Sequence, residues 1–100
     1  VSRTIVSEPA LLVLAALISG PKHGYAIILE IEEYTGKRLG PGTLYGIIER
    51  LEKVGFIQPM QLEDRGRRPY RITSAGKRAF EEQMRSLQQY QRALRSLASQ

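Results

Sequence analysis

The chain has no cysteine, no tryptophan and a single histidine among its 100 residues. Without cysteine, disulfide frameworks, thiolate zinc sites and thiol nucleophiles are excluded together, and the composition fits a reducing compartment such as the cytoplasm. One histidine, His23, cannot build a multi-histidine metal site or a two-histidine acid/base relay. Long apolar runs are also missing. The longest candidate, Ala10 to Ile18, has nine residues, far fewer than the ~20 that span a bilayer. Glu8 and Pro9 stand directly before it and only Arg3 precedes it as a cation, so a secretory signal is rejected and a buried helix is expected. Paired carboxylates occur only as the sequence neighbours Glu32-Glu33, Glu63-Asp64 and Glu81-Glu82, which splay apart on a helix or strand. With no Gly-rich phosphate loop, no Ser-His-Asp set and no metal-ligand spacing, neither an enzyme nor a cofactor is expected.

What is present suits one core. Apolar side chains make up 42% and charged ones 25% of the chain, and folding at this length buries roughly 60–70% of the extended chain's surface, so a partner subunit would help. The charge is unevenly placed. Residues 1–64 carry 6 Lys/Arg against 8 Asp/Glu, whereas residues 65–100 carry 9 against 2, a local excess of +7 within a total of +5. A localised basic region favours a polyanionic partner, nucleic acid or an anionic membrane surface.

Periodicity divides the chain into helix, helix, helix, hairpin, helix. Ser7 caps a first helix that tolerates Pro9 in its first turn and stops at Gly20-Pro21. Ile27, Ile28, Ile31 and Tyr34 mark the inner face of a second, from about Gly24 to Thr35, ended by Gly36. Pro41 opens a third that reaches about Val54, with Leu44, Ile47, Ile48 and Leu51 inward. Ile57, Met60 and Leu62, then Pro69 to Thr73, read as two strands around the turn Asp64-Arg65-Gly66-Arg67-Arg68, a hairpin with a cationic tip. From Thr73 or Ser74 a long helix follows, with Phe80, Met84, Leu87, Gln91, Leu94 and Ala98 spaced 4, 3, 4, 3, 4 as a heptad-like seam.

Three short helices followed by a hairpin is the order of a winged helix-turn-helix, in which the third helix reads DNA and the hairpin is the wing. The fold class is therefore mainly α with a small β-hairpin: a DNA-binding head over residues 1–73 and a C-terminal dimerisation helix over 74–100. On the third helix Gly42, Gly46, Glu49 and Lys53 point away from the core, flanked by Tyr45 and Arg50. A mid-helix glycine costs ~1 kcal/mol relative to alanine, so a smooth face with two of them suits close approach to a groove, with Thr43, Tyr45, Arg50 and Lys53 as donors. Arg65, Arg67 and Arg68, extended by Arg71, would repel one another without an anion, and guanidinium forks suit phosphate oxygens. Lys77 and Arg78 oppose the dipole at the start of their helix and suggest the same anion. His23 is most simply a cap or surface residue, but beside Lys22 and Tyr25 it is also a candidate phosphate contact. The last helix, about 24 residues and ~36 Å, outruns a head ~25 Å across, so part of its seam must meet a second chain. Phe80, Met84, Leu87, Tyr90, Leu94 and Leu97 are the expected interface.

Several stretches together resemble the PadR-like transcriptional regulators: Leu11 to Leu17; Gly20-Pro21-Lys22-His23-Gly24-Tyr25-Ala26-Ile27; Pro41-Gly42-Thr43-Leu44-Tyr45; Arg50-Leu51-Glu52 with Gly55-Phe56-Ile57; and Gly66-Arg67-Arg68-Pro69-Tyr70-Arg71-Ile72-Thr73 with Ala75-Gly76. The likeness covers roughly residues 9–80. It implies a cytoplasmic homodimer on a pseudo-palindromic operator, usually a repressor, released by a small aromatic or lipophilic effector that lodges between subunits in the short branch of the family. It also implies that Pro41 to Tyr45 open the recognition helix and that Gly66 to Arg68 form the wing. The residue before Pro41, commonly Ser in the family, is Gly40, and the residue after Tyr45, often Pro, is Gly46. With no tryptophan, only Tyr90 among the last twenty residues offers an aromatic ring to a planar effector. Two rival readings come from other classes. One is a winged-helix module binding protein alone, which the cationic hairpin argues against because interface centres are depleted of charge. The other is an amphipathic membrane-surface protein built on the basic last third.

Overall fold

In a computed structural model, which describes residues 6–100, the order is α1 (Glu8–Ile18), β1 (Lys22–His23), α2 (Gly24–Thr35), α3 (Pro41–Lys53), β2 (Ile57–Pro59), a 3-10 turn (Asp64–Gly66), β3 (Pro69–Ile72) and α4 (Ser74–Ala98). The first five residues of the expected head, Arg3 among them, lie outside the described residues. Helix boundaries follow the expected stop and start signals. The Ser7 side chain accepts from the Ala10 N–H, and Gly36 closes α2 at φ 75°, in the left-handed region where glycine pays no Cβ penalty. Of the two residues expected to begin α4, it is Thr73 that caps it: its Oγ1 accepts from the Gly76 N–H at 3.1 Å and donates to the Gly55 carbonyl at 2.6 Å.

Three expectations need correction. The hairpin is the larger part of a three-stranded antiparallel sheet ordered β1-β3-β2, because Lys22 pairs with Tyr70 and His23 with Pro69. The strand expected to include Met60 and Leu62 ends at Pro59, where β2 pairs with Tyr70. Tyr34, assigned to the inner face of α2, is 80% exposed; the last turn of α2 is exposed from Glu33 onward and overshoots the core, so a correct angular position meets nothing.

The core lies wholly in the head. Val13, Leu14 and Leu17 of α1 meet Ile27, Ile28 and Ile31 of α2, Leu44, Ile47, Ile48 and Leu51 of α3, and Ile57, Tyr70 and Ile72 of the sheet. Helix α4 supplies only Phe80, partly buried against this cluster, and buries only Gly76 outright. A methyl group at Gly76 would collide with the Phe56 carbonyl and stand 2.7 Å from the Ile72 side chain. The first turn of α4 therefore sits against the backbone where β2 begins, a docking that also uses the Thr73 N–H to Phe56 carbonyl bond at 2.9 Å. Beyond Phe80 the helix leaves the head, and the molecule measures 58 × 32 × 22 Å. No helix among the described residues is long and apolar enough to cross a membrane.

Candidate nucleic-acid interface

Three elements converge where the sequence places its candidate DNA contacts. The first is the start of α3, where Gly40 caps without a side-chain bond and Pro41 occupies the first helical position. Its early N–H groups thus carry no side-chain acceptor, and the positive end of the helix dipole faces outward. Pro41, Gly42 and Thr43 are exposed, as are Glu49, Arg50 and Lys53. A methyl group at Gly42 would meet no atom within 4 Å, and one at Gly46 would meet only the Arg50 guanidinium at 3.9 Å. The outer surface of α3 is therefore open, and neither glycine is needed for packing within the chain.

The second element is the start of α2. Its N-cap, His23, makes no side-chain cap bond. The partly buried imidazole instead brings Nε2 to 2.5 Å from the Glu63 carboxylate. Lys22, its neighbour, turns inward to serve α1: its Nζ donates to the Ala16 carbonyl at 2.5 Å and the Ser19 hydroxyl at 2.8 Å, and lies 3.7 Å from Glu30. Because α1 has no basic residue in its last turn, this ammonium supplies the cation that a helix C-terminus favours. Tyr25 is 62% exposed.

The third element is the wing. Its tip is closed by Glu63 N–H to Arg67 carbonyl at 2.7 Å and Gly66 N–H to Glu63 carbonyl at 3.1 Å. Arg65 and Gly66 both stand at φ 72°, so Arg65 occupies a left-handed position that costs a residue bearing a Cβ. Arg65, Arg67 and Arg68 are exposed. The four arginines do not act alike. Arg68 donates to the Met60 carbonyl at 2.7 Å and braces the base of the hairpin, and Arg71 donates to Gln58 across β2 and β3 at 2.6 Å. Mutual repulsion is thus relieved in part by bonds inside the wing.

Tyr70 shows that these elements adjoin. Burial pushes its phenol above the usual tyrosine range, the neighbouring Glu52 carboxylate and Tyr45 push the same way, and Arg68 opposes them. In β3, Tyr70 pairs with Lys22 of β1 on one side and Pro59 of β2 on the other, which joins the base of the wing to the start of α2. Tyr45, half-exposed, lies over the start of α2: a methyl group at Gly24 would stand 2.5 Å from its hydroxyl oxygen.

The match to known proteins falls on this framework. Residues 13–82 fit the model of the transcriptional regulator PadR-like family. The chain belongs to that family. Among individual relatives, Transcriptional regulator Rv3488 of Mycobacterium tuberculosis is 39% identical over 72 residues, covering 70% of this chain and 66% of that protein. A 37.1 kDa protein in transposon Tn4556 of Streptomyces fradiae is 46% identical over 82 residues, 81% of this chain but 23% of its own length. The chain thus spans a quarter of one relative and about two thirds of the other. A transcriptional regulator from Clostridium thermocellum superposes with a TM-score of 0.79 at 26% identity, covering 92% of this chain and 97% of that one. A PadR family transcription regulator from Clostridium difficile shares the fold, with a TM-score of 0.77 at 20% identity over 92% of this chain and 99% of that one.

Measured against this PadR framework, the sequence-predicted residues separate into groups. Pro41, Gly42, Thr43, Tyr45, Arg50 and Lys53 share the exposed side of α3. His23 and Tyr25 stand at the start of α2, and Arg65, Arg67 and Arg68 on the wing. The seam residues Met84, Leu87, Tyr90, Leu94 and Leu97 are exposed along α4, whereas Phe80 is spent on the head's own core. Glu63, Gln58 and Lys22 were missed as organisers. Each works through a partner distant in sequence or through a strand of only two residues.

Proposed function

We propose that this PadR-family chain is a winged-helix transcriptional regulator that binds duplex DNA as a homodimer. In this reading α3 enters a groove with Thr43, Tyr45, Arg50 and Lys53 near base edges and phosphates, and the wing lays Arg65 and Arg67 on the backbone. The head, residues 1–73, binds DNA, and residues 74–100 dimerise through Leu87, Tyr90, Leu94 and Leu97. The operator is then a pseudo-palindrome, the regulator acts in the cytoplasm as a repressor, and a small aromatic or lipophilic effector at the subunit interface releases it. Such a ligand must favour the DNA-free arrangement, because equal affinity for both states shifts nothing.

The observation that carries this reading is the open, glycine-smoothed face of α3, whose Tyr45 packs on the start of α2, together with an exposed arginine wing tied to that same start of α2 by the β1–β3 pairing and the His23–Glu63 contact. Retention on duplex DNA that falls steeply with added salt, with no retention on anionic vesicles, is the expected result. Binding to vesicles, or to neither polyanion, would overturn it. Within the interface, Arg67→Ala should weaken all duplexes nearly alike and lower the salt slope by about 1, while Tyr45→Ala should cost about 1–3 kcal/mol mainly on the operator.

A further inference from the structure

Glu63 is an acid in the most cationic stretch of the chain, followed within five residues by Arg65, Arg67 and Arg68. If the wing served only to attract a polyanion, this carboxylate would work against it. Its contacts explain its presence. Glu63 accepts from His23 Nε2–H, bridging 40 residues of sequence between the wing and the start of α2. Its own backbone is built into the tip, with N–H bonded to the Arg67 carbonyl and C=O to the Gly66 N–H. A hold on the Glu63 carboxylate is therefore a hold on the whole 63–67 loop.

Among the described residues, the bonds that tie that loop to the sheet lie at its base. Beyond β2 and β3 these are Met60 N–H to the Pro69 carbonyl at 2.8 Å and the Arg68 guanidinium to the Met60 carbonyl at 2.7 Å, after which the loop is closed on itself by Glu63 N–H to the Arg67 carbonyl. Pro59 and Pro69 flank the segment and cannot donate to a ladder. His23, by contrast, is anchored twice: it pairs with Pro69 in the sheet and caps α2 through its backbone. Both partners remain partly exposed, 27% for the His23 side chain and 52% for Glu63, and exposed pairs of this kind add little to folding stability. The contact therefore bears on orientation.

We propose that Glu63 is a positioning residue: held by His23, its carboxylate clips the wing tip to the start of α2 and fixes where Arg65 and Arg67 present their guanidinium groups. This rests on the DNA-binding reading above. Charge and position predict opposite signs, which makes the proposal decidable. Removing a negative charge beside DNA tightens binding if charge is all that matters, and weakens it if the clip sets the wing.

The test measures affinity for a duplex selected from a random pool by the wild-type chain. It compares Glu63→Gln, Glu63→Asp, His23→Ala and the Glu63→Gln/His23→Ala double variant at two salt concentrations. Three- to tenfold weaker binding is expected for each single variant, with the salt slope falling by less than the ~1 expected for Arg67→Ala, because the wing arginines are kept and only their placement is loosened. The double variant should be no worse than either single one, as residues acting as one unit require. Glu63→Asp, which keeps the charge but shortens the reach, should behave like Glu63→Gln. Thermal midpoints should stay near wild type. Tighter binding by Glu63→Gln with Glu63→Asp unchanged, or strictly additive losses, would overturn the proposal. Amide exchange in the free protein tests the clip without DNA: the amides of residues 65–67 should exchange faster in Glu63→Gln, and equal protection would also overturn it. A wild-type chain that selects no duplex would defeat the functional reading while the exchange result still judges the clip.

Discussion

The head and α4 use apolar residues in opposite ways. Every buried apolar side chain among the described residues, from Val6 to Ile72, belongs to the head, while α4 leaves Leu87, Tyr90, Leu94 and Leu97 between 46% and 68% exposed. Scattered exposed leucines are ordinary. Apolar residues repeated at heptad spacing along a helix that projects beyond its own core are not, because nothing among the described residues covers them. The head thus completes its own core, whereas α4, in the reading proposed above, supplies half of an interface that a second copy completes.

The largest effect should come from breaking the unfinished half. Replacing Leu87 and Leu94 together by Glu removes two side chains that each gain roughly 1.5–3 kcal/mol on burial, so the dimer constant should rise by at least about a hundredfold. Sedimentation should show monomers with head structure retained, whereas unchanged mass would place the interface elsewhere. Gly76→Ala attacks the junction between the two regions. Its Cβ would meet backbone and not a yielding side-chain tip, and overpacking of this kind costs about 1–3 kcal/mol, to be read as a lower thermal midpoint.

Smaller effects probe the head alone. Arg65→Gly relieves the left-handed position at φ 72°, so thermal stability should rise by up to about 1 kcal/mol while DNA affinity falls through the lost cation. The smallest effect concerns Glu8 and Lys37, which tie the start of α1 to the loop after α2 at 2.8 Å. The hydrogen bond from Lys37, then its charge, holds the Glu8 carboxyl below the usual range, and the same contact raises the Lys37 ammonium. A lowered carboxyl favours the folded state above its unfolded value, and that contribution is lost as pH falls through the folded one. Both groups are exposed, so the acid-side loss should be slight and vanish with added salt; a pH titration of the thermal midpoint in Glu8→Gln should lack it.

The same contrast marks how far the sequence could be read. Helix boundaries were legible because they depend on neighbours: Ser7, Pro41, Gly36 and Thr73 act within one turn of where they stand. The inner face of α3, and that of α2 as far as Ile31, followed from period alone, but Tyr34 did not, since period gives direction and not whether a surface lies there. Strand β1 escaped because two residues cannot display alternation. The pairs His23–Glu63, Arg71–Gln58 and Tyr45 over Gly24 escaped because they join segments that only the folded chain brings together. Candidate contacts on α3 and the wing were visible as residue types, whereas the division of the arginines between bracing the wing and facing outward was not.

Selection of bound sequences from a random duplex pool by the full chain tests the central claim most directly, since it reads the head's recognition and the pairing made by α4 in one result. A finished head joined to its copy through α4 must recover two inverted half-sites with centres about one or two helical turns apart. A consensus consisting of one asymmetric, unrepeated element would contradict the account.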